Sequence, residues 1–265
     1  MSALASAGSA ALVAAVACGV AGAFVPAAMA RIPEPQPKPV PEPVPEPAPE
    51  GPGAPTPAPA RPEEPPKELY ADLAARPGLA RATVVAAAVA GAVVGLTVGW
   101  TWPLLFLLPT VPVGVLLGYV DLRTKLLPSR VLLPAHAVVI LLAGVCALVT
   151  ADGDAFVRAL VGMVAARSVF WVLWWIRSAG LGFGDVRLSA LLGFELAYLG
   201  WGELVVGTYA SFLLFGLPGL LIALVRRDRS LLRTAYPFGP AMLVGALVGI
   251  AAGPAIWGHL VGGGA

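Results

Sequence analysis

The sequence predicts an all-α membrane protein: a polytopic bundle of about eight transmembrane helices with a Pro-rich cytoplasmic linker. Three features lead there. The chain is 58% hydrophobic and only 12% charged, with a mean hydropathy of +0.84, whereas a soluble domain of this length carries about a quarter charged residues. Its apolar residues gather into stretches close to the ~20 residues that cross a bilayer as a helix. Of its 17 Lys and Arg residues, 14 fall in alternate intervals between those stretches, as they do in a chain threaded back and forth through a membrane. The net charge of +2 says little, because the placement of the charges matters more than their sum.

The apolar stretches run over 7–30, 83–101, 103–120, 131–150, 155–176, 186–200, 202–225 and 238–259. The first ends in 28-AMA-30, an A-x-A pattern that a signal peptidase could use. No basic residue precedes it, however, and Arg31 follows it, so an uncleaved helix with its C-terminal flank in the cytoplasm is expected. The third carries Pro103, Pro109 and Pro112, which predicts a kink. The sixth is short and is expected to extend through its flanks or to sit in thinned bilayer. The runs 91-GAVVGL-96 and 244-VGALVGIAAG-253 read as close helix packing. Cys18 and Cys146 lie in apolar runs, and no C-x-x-C occurs; both read as inert buried thiols, with neither a zinc site nor a disulfide framework.

Between the first two spans lies 33-PEPQPKPVPEPVPEPAPEGPGAPTPAPARPEEPP-66, which holds sixteen of the chain's 27 prolines. Such a tract cannot build a core and reads as extended polyproline II, a solvated linker or a docking segment. The chain thus divides into a first helix over 1–30, a Pro-rich cytoplasmic linker over 31–82 and a seven-helix unit over 83–265. Loops 31–82, 121–130 and 226–237 hold most of the basic residues, and Arg177 and Arg187 bracket a glycine-rich turn. Placing these inside leaves Asp152, Asp154 and Glu203 on the opposite face. Trp100, Trp102, Trp201 and Trp257 then mark an outer interfacial belt, and Trp171, Trp174 and Trp175 an inner one.

Three acids bear on the membrane. Asp121 closes the third span in 117-LGYVDLRTKLLPSR-130, Asp185 opens the sixth in 180-GLGFGDVRLSALLGF-194, and Glu195 lies within the sixth. Taken singly, Asp185 reads as a helix N-cap or first-turn acid, and Asp121 as half of a surface ion pair with Arg123. Taken together, they fall at one depth, on the cytoplasmic edge. Two aspartates a few ångströms apart cannot both ionise cheaply and share a proton. One can then act as general base on a water while the other donates to the carbonyl of the bond being broken. The chemistry expected is amide hydrolysis without a metal, a cofactor or a covalent intermediate. Gly180, Gly182 and Gly184 predict irregular backbone before Asp185, which could offer hydrogen bonds to an extended substrate segment.

These residues resemble a known family. Gly182-Phe183-Gly184-Asp185 is similar to the G-x-G-D motif of the type IV prepilin peptidases, which are membrane aspartic proteases. The run 185-DVRLSALLG-193, Asp121 with Arg123 and Pro128 after it, and 236-YPFGP-240 with its Pro237, Phe238 and Gly239 resemble further family elements. The likeness is good over about 115–245 and loose elsewhere; 22-GAFVPAAMARIP-33 is a weaker match, with Pro26 where an Asn is common. The resemblance implies that Asp121 and Asp185 are the catalytic pair, with Gly182, Gly184, Arg123, Arg187, Pro237, Phe238 and Gly239 in support. It implies prepilin or pseudopilin precursors as substrates, cut at the cytoplasmic face of a bacterial inner membrane and serving a pilus or secretion assembly machinery, with no nucleic-acid partner. Many bifunctional members carry paired C-x-x-C motifs in the first cytoplasmic loop; here the loop is the proline tract, and methyl transfer is left open. Arg187 and Ser129 stand where Lys and Asn are common, which keeps the charge of the first but not its shape.

Arg167, mid-span in the fifth stretch, and Glu195 each lie about ten residues from the inner edge, or ~15 Å at ~1.5 Å per residue. Equal depth on sequential helices predicts a structural Arg167–Glu195 ion pair, because a lone charge near mid-bilayer costs roughly 2.5–3.5 kcal/mol. His136 reads as a satisfied or interfacial histidine and His259 as solvated. Arg123, Lys125 and Arg187 could steer an acidic group of a substrate or simply mark the inner face. Two rival functions compete. A transporter would use Asp121, Asp185, Arg167 and Glu195 as an ion or proton route. A Mg²⁺-dependent lipid enzyme would need acids clustered within a turn or two.

Overall fold

A computed structural model describes residues 2–34, 68–176, 181–227 and 236–262. These residues form ten helices and, among themselves, no strand: α1 (Ser2–Gly22), α2 (Val25–Ala30), α3 (Tyr70–Ala74), α4 (Leu79–Val98), α5 (Leu104–Thr124), α6 (Ser129–Thr150), α7 (Gly153–Ile176), α8 (Phe183–Leu199), α9 (Trp201–Arg226) and α10 (Gly239–Gly262). Most of the polyproline tract lies outside the described residues, as do Arg177, Gly180, Arg229 and Arg233. Seven spans, over Ala5–Ala30, Leu79–Val98, Leu104–Thr124, Ser129–Thr150, Gly153–Ile176, Trp201–Arg226 and Gly239–Val261, are long and apolar enough to cross a membrane. The chain is an all-α, multi-pass membrane protein.

The one expected span not among these seven, the sixth, is α8. Its 17 residues reach about 25 Å, short of the ~30 Å hydrocarbon core. From Asp185 to Tyr198 every residue of α8 except Arg187 is buried, so it is the central helix of the bundle. Both of its ends are tied. Gly200 stops it, and Arg158 of α7 donates to the Ala197 and Tyr198 carbonyls, each at 2.7 Å. Those carbonyls have no intrahelical partner, and a cation suits the negative end of a helix dipole. Arg158→Ala is expected to lower stability by about 1.5–3 kcal/mol, read as a fall in the thermal unfolding midpoint in detergent.

The first stretch breaks in two where Pro26 follows Gly22 by four residues. The proline ring would strike the Gly22 carbonyl, and its missing N–H ends the ladder there. Another proline frees a carbonyl for use: Pro112 cannot donate to Leu108, and the Cys18 thiol of α1 lies 3.6 Å from the Leu108 oxygen. Cys18 and Cys146 are buried free thiols. α4 begins at Leu79 rather than 83, behind Gly78 in the left-handed region at φ 83°.

Helices pack in three close pairs, and the small residues lie where the backbones meet. A Cβ on Gly91 or Gly95 of α4 would sit 2.6 Å from the Ala14 or Ala10 carbonyl oxygen of α1. On Gly193 of α8 it would meet Ala166 of α7 at 2.6 Å, and on Gly249 of α10 the Glu203 carbonyl of α9 at 2.5 Å. The small-residue runs therefore serve packing, as expected. The outward faces carry large apolar side chains, such as Leu141 and Leu148 of α6 and Leu12 and Val16 of α1. A bilayer solvates such faces; water would not.

Candidate active site

The site is built where α5 ends and where α8 and α10 begin. Asp121 lies one turn before the end of α5 and is 4% exposed; Asp185 lies in the first turn of α8 and is 6% exposed. Asp185 Oδ2 accepts from the Gly182 backbone N–H at 2.9 Å, and the Asp185 N–H donates to the Gly182 carbonyl. This reciprocal pair fixes the carboxylate at the positive end of α8. Asp185 Oδ1 is buried and, among the described residues, has no hydrogen-bond partner. Asp121 stands near the C-terminus of its own helix, where a dipole disfavours an anion. The start of α10 compensates: the Gly239 N–H donates to Asp121 Oδ2 at 2.9 Å.

A second tie lies deeper. Thr110 of α5 donates to Glu195 Oε1 of α8 at 2.6 Å. Asp121 is eleven residues beyond Thr110 and Asp185 ten residues before Glu195, about 16 and 15 Å along antiparallel helices. Both aspartates therefore come to one level. At ~100° per residue, eleven residues leave Asp121 only about 20° from the face that Thr110 turns to α8. Burial, and after it the charge of Asp121, push the Asp185 carboxyl above its ordinary range.

Glycine and aromatic residues set this approach. A Cβ on Gly184 would sit 2.7 Å from the Leu127 Cβ, in the turn that follows α5. Gly184 is thus not part of irregular backbone. It lies inside α8, which starts at Phe183, and first-turn residues need no intrahelical N–H bond. Gly182 is extended at φ −75°, and a Cβ there would stand 3.4 Å from Asp185 Oδ2; this geometry does not demand glycine. Gly184→Ala is expected to cost about 1–3 kcal/mol through overpacking against Leu127, measured by thermal unfolding in detergent.

In the Pro-Phe-Gly-Pro element, buried Phe238 packs against Phe170, Phe212 and Phe215 at centroid distances of 5.8, 5.4 and 4.7 Å. Pro237, half-buried, precedes this anchor. Pro240 occupies the first turn of α10, where a missing N–H costs nothing. Gly239 is needed for space, since a Cβ there would lie 2.8 Å from Asp121 Oδ2.

Arg187 is engaged locally. It donates to Ser129 Oγ at the start of α6 and lies over the Phe183 ring at 4.9 Å, and that ring meets Trp174 edge-on at 5.2 Å. Arg123 and Lys125 are exposed, the first over the Tyr119 ring at 5.9 Å. Asp121 is buried and makes no ion pair with Arg123. His136 Nδ1 meets the Leu132 carbonyl of its own helix at 2.7 Å, a satisfied histidine. Among the described residues, no three His, Cys, Asp or Glu side chains gather at one place.

The expected Arg167–Glu195 ion pair is not formed. Glu195 takes its hydrogen bond from Thr110, while Arg167 is exposed. The inward face of α7 carries Ala155, Ala159, Gly162, Ala166 and Phe170. Arg167 is one residue, or ~100°, off that face; equal depth does not fix rotation about the helix axis. Sequence reasoning also missed Thr110, Leu127 and the phenylalanine cluster. Only Thr110 left a signal, lying three turns before Asp121 on the same face.

A model of the type IV leader peptidase family matches residues 108–224. The Salmonella typhimurium protein named leader peptidase HopD is 31% identical over 150 residues, covering 55% of this chain and 91% of that protein. A prepilin leader peptidase/N-methyltransferase of Aeromonas hydrophila is 30% identical over 164 residues, 60% of this chain and 52% of its own. One from Pseudomonas putida is 31% identical over 157 residues, 58% and 50% respectively. The chain thus spans about half the length of these two relatives. No solved structure matches it.

Proposed function

We propose, because this chain belongs to the type IV leader peptidase family, that it is an aspartic endopeptidase that removes the leader of pilin-like precursors, with Asp121 and Asp185 as its catalytic pair. The observation that carries this reading is two buried carboxylates brought to one level by the Thr110–Glu195 tie, each held by a single backbone N–H. That leaves further acceptor capacity on the pair, including Asp185 Oδ1.

The pair holds one proton between its carboxyl groups. The ionised member takes a proton from water as the oxygen attacks the peptide carbonyl carbon. The protonated member donates to the carbonyl oxygen, giving a tetrahedral intermediate. Its collapse breaks the C–N bond, and a proton returned from the pair leaves with the new amine. The two titrations belong to the pair rather than to either residue.

The end of the bundle that carries the acids also carries Arg123, Lys125, Arg130 and Arg226, whereas Asp152, Asp154 and Glu203 lie at helix ends on the other side. This distribution supports a cytoplasmic site in the inner membrane. The precursor's apolar helix would stay in lipid while its leader meets the acids at the edge. The transporter reading loses one of its four residues, since Arg167 faces away from the bundle. The proposal is for cleavage alone, the activity named for the Salmonella relative.

Co-expression with a candidate pilin-like precursor tests the proposal, with the mass of the precursor's N-terminus as the readout. A product shortened by its leader is expected; a full-length precursor beside normally inserted enzyme would overturn it.

A further inference from the structure

A groove of about 360 Å³ runs between α4, α5 and α10, with Leu192 and Glu195 of α8 at its base. It begins at the candidate active site. Gly118, Tyr119 and Leu122 lie within a turn of Asp121, and Pro240 follows the Gly239 that holds Asp121. From Leu122 to Leu107 it follows α5 for about 22 Å, the length of some fifteen helical residues. Its rim is open to the bilayer at Leu122 and Val244, which are 55% and 48% exposed. Ala82, Ala86 and Ala90 of α4 and Gly114 and Gly118 of α5 line it with small side chains, which lets another helix approach closely.

One group does not suit an apolar groove. Glu195 is only 5% exposed, yet it lines the base. Oε1 is taken by Thr110, and among the described residues Oε2 has no partner. At membrane depth an unmatched carboxyl oxygen is costly. A lipid chain brings no donor to it, and the backbone N–H groups of a helix are used within the helix. A polar side chain on an inserted helix can satisfy it, by donating to the carboxylate or accepting from the carboxylic acid.

We infer that this groove seats the apolar helix of the precursor and that Glu195 hydrogen-bonds a polar side chain about ten residues beyond the cut. The spacing is that between Asp185 and Glu195, ~15 Å at ~1.5 Å per residue. The inference rests on the peptidase reading and makes Glu195 a determinant of substrate choice.

The test uses the full chain in membranes and a pilin-like precursor with Asn or Leu at the sixth, tenth or fourteenth residue after the cut. The Asn/Leu ratio of kcat/KM should peak at about the tenth position, at roughly 3- to 10-fold, the weight of one hydrogen bond. In Glu195→Leu that ratio should fall to about 1, whereas Glu195→Gln, which keeps an acceptor, should retain part of it. A cysteine at Ala86 should also crosslink to one placed in the precursor helix. Cleavage with no positional preference, or a preference that survives Glu195→Leu, would overturn the inference alone. So would crosslinking of Ala86→Cys to a second copy of the chain instead of to the precursor. Absence of cleavage in every precursor would overturn the peptidase reading and this inference together.

Discussion

Asp121→Asn and Asp185→Asn are each expected to lower precursor cleavage by roughly 10³-fold or more, with the protein still inserted and at a normal level. Asparagine keeps the size of the carboxylate and can still accept from Gly239 or Gly182 through its carbonyl oxygen. It cannot carry the shared proton. General acid and general base catalysis each contribute about 10²–10⁴-fold, and here one pair supplies both. Residues that act as a unit are not additive, so the double variant should lose little more than either single one. The measurement is the ratio of processed to unprocessed precursor by mass spectrometry, with initial rates on purified enzyme. The transporter reading expects processing to be indifferent to both changes. Either single variant retaining near-normal turnover would remove the pair from the mechanism. With wild-type enzyme, the rate should be bell-shaped in pH, because only the singly protonated pair is active.

The second large effect is expected at Gly239, a residue that touches no substrate in the proposed mechanism. In Gly239→Ala the new methyl would stand 2.8 Å from Asp121 Oδ2 and 3.2 Å from its carboxyl carbon. Asp121 is 4% exposed and Phe238 3%, so neither side can easily give way. The phenylalanine cluster holds the backbone on one side, and α5 holds the aspartate on the other. The carboxylate must rotate, weakening the Gly239 N–H bond and misplacing the acid by some tenths of an ångström. A displacement of about 1 Å at a catalytic group can cost 10²-fold, and a fall in kcat of about 10- to 100-fold is expected here. KM should change less, because the groove walls are untouched. If kcat stayed within twofold of wild type, the α10 N-terminus would not be what positions Asp121.

The helices were legible because membrane spans announce themselves by length and apolarity. The break at Pro26 and the shortness of α8 follow from rules that act within one or two turns. Matching depth was legible as well: Asp121 and Asp185 could be set at one level from loop charges alone. Rotation was not. Arg167 and Glu195 share a depth and face different ways, because which side of α7 is buried depends on its glycine and alanine contacts with α8. Gly184 illustrates the same limit. Its sequence context suggests a loop, but its reason for being glycine is Leu127, 57 positions earlier in the chain. Phe238 could be marked by resemblance alone, since its partners come from α7 and α9. Contacts that join helices distant in sequence leave no local pattern to read.

The two rungs between α5 and α8, Thr110 with Glu195 and Asp121 beside Asp185, turn both segments into rulers. One residue inserted between Thr110 and Asp121 would leave hydropathy and span length almost unchanged. It would also swing one acid by about 100° and shift it ~1.5 Å, parting the pair while the deeper rung held. Along these two intervals spacing is under tighter constraint than side-chain identity. Gain or loss of a residue there is far less tolerable than almost any apolar exchange.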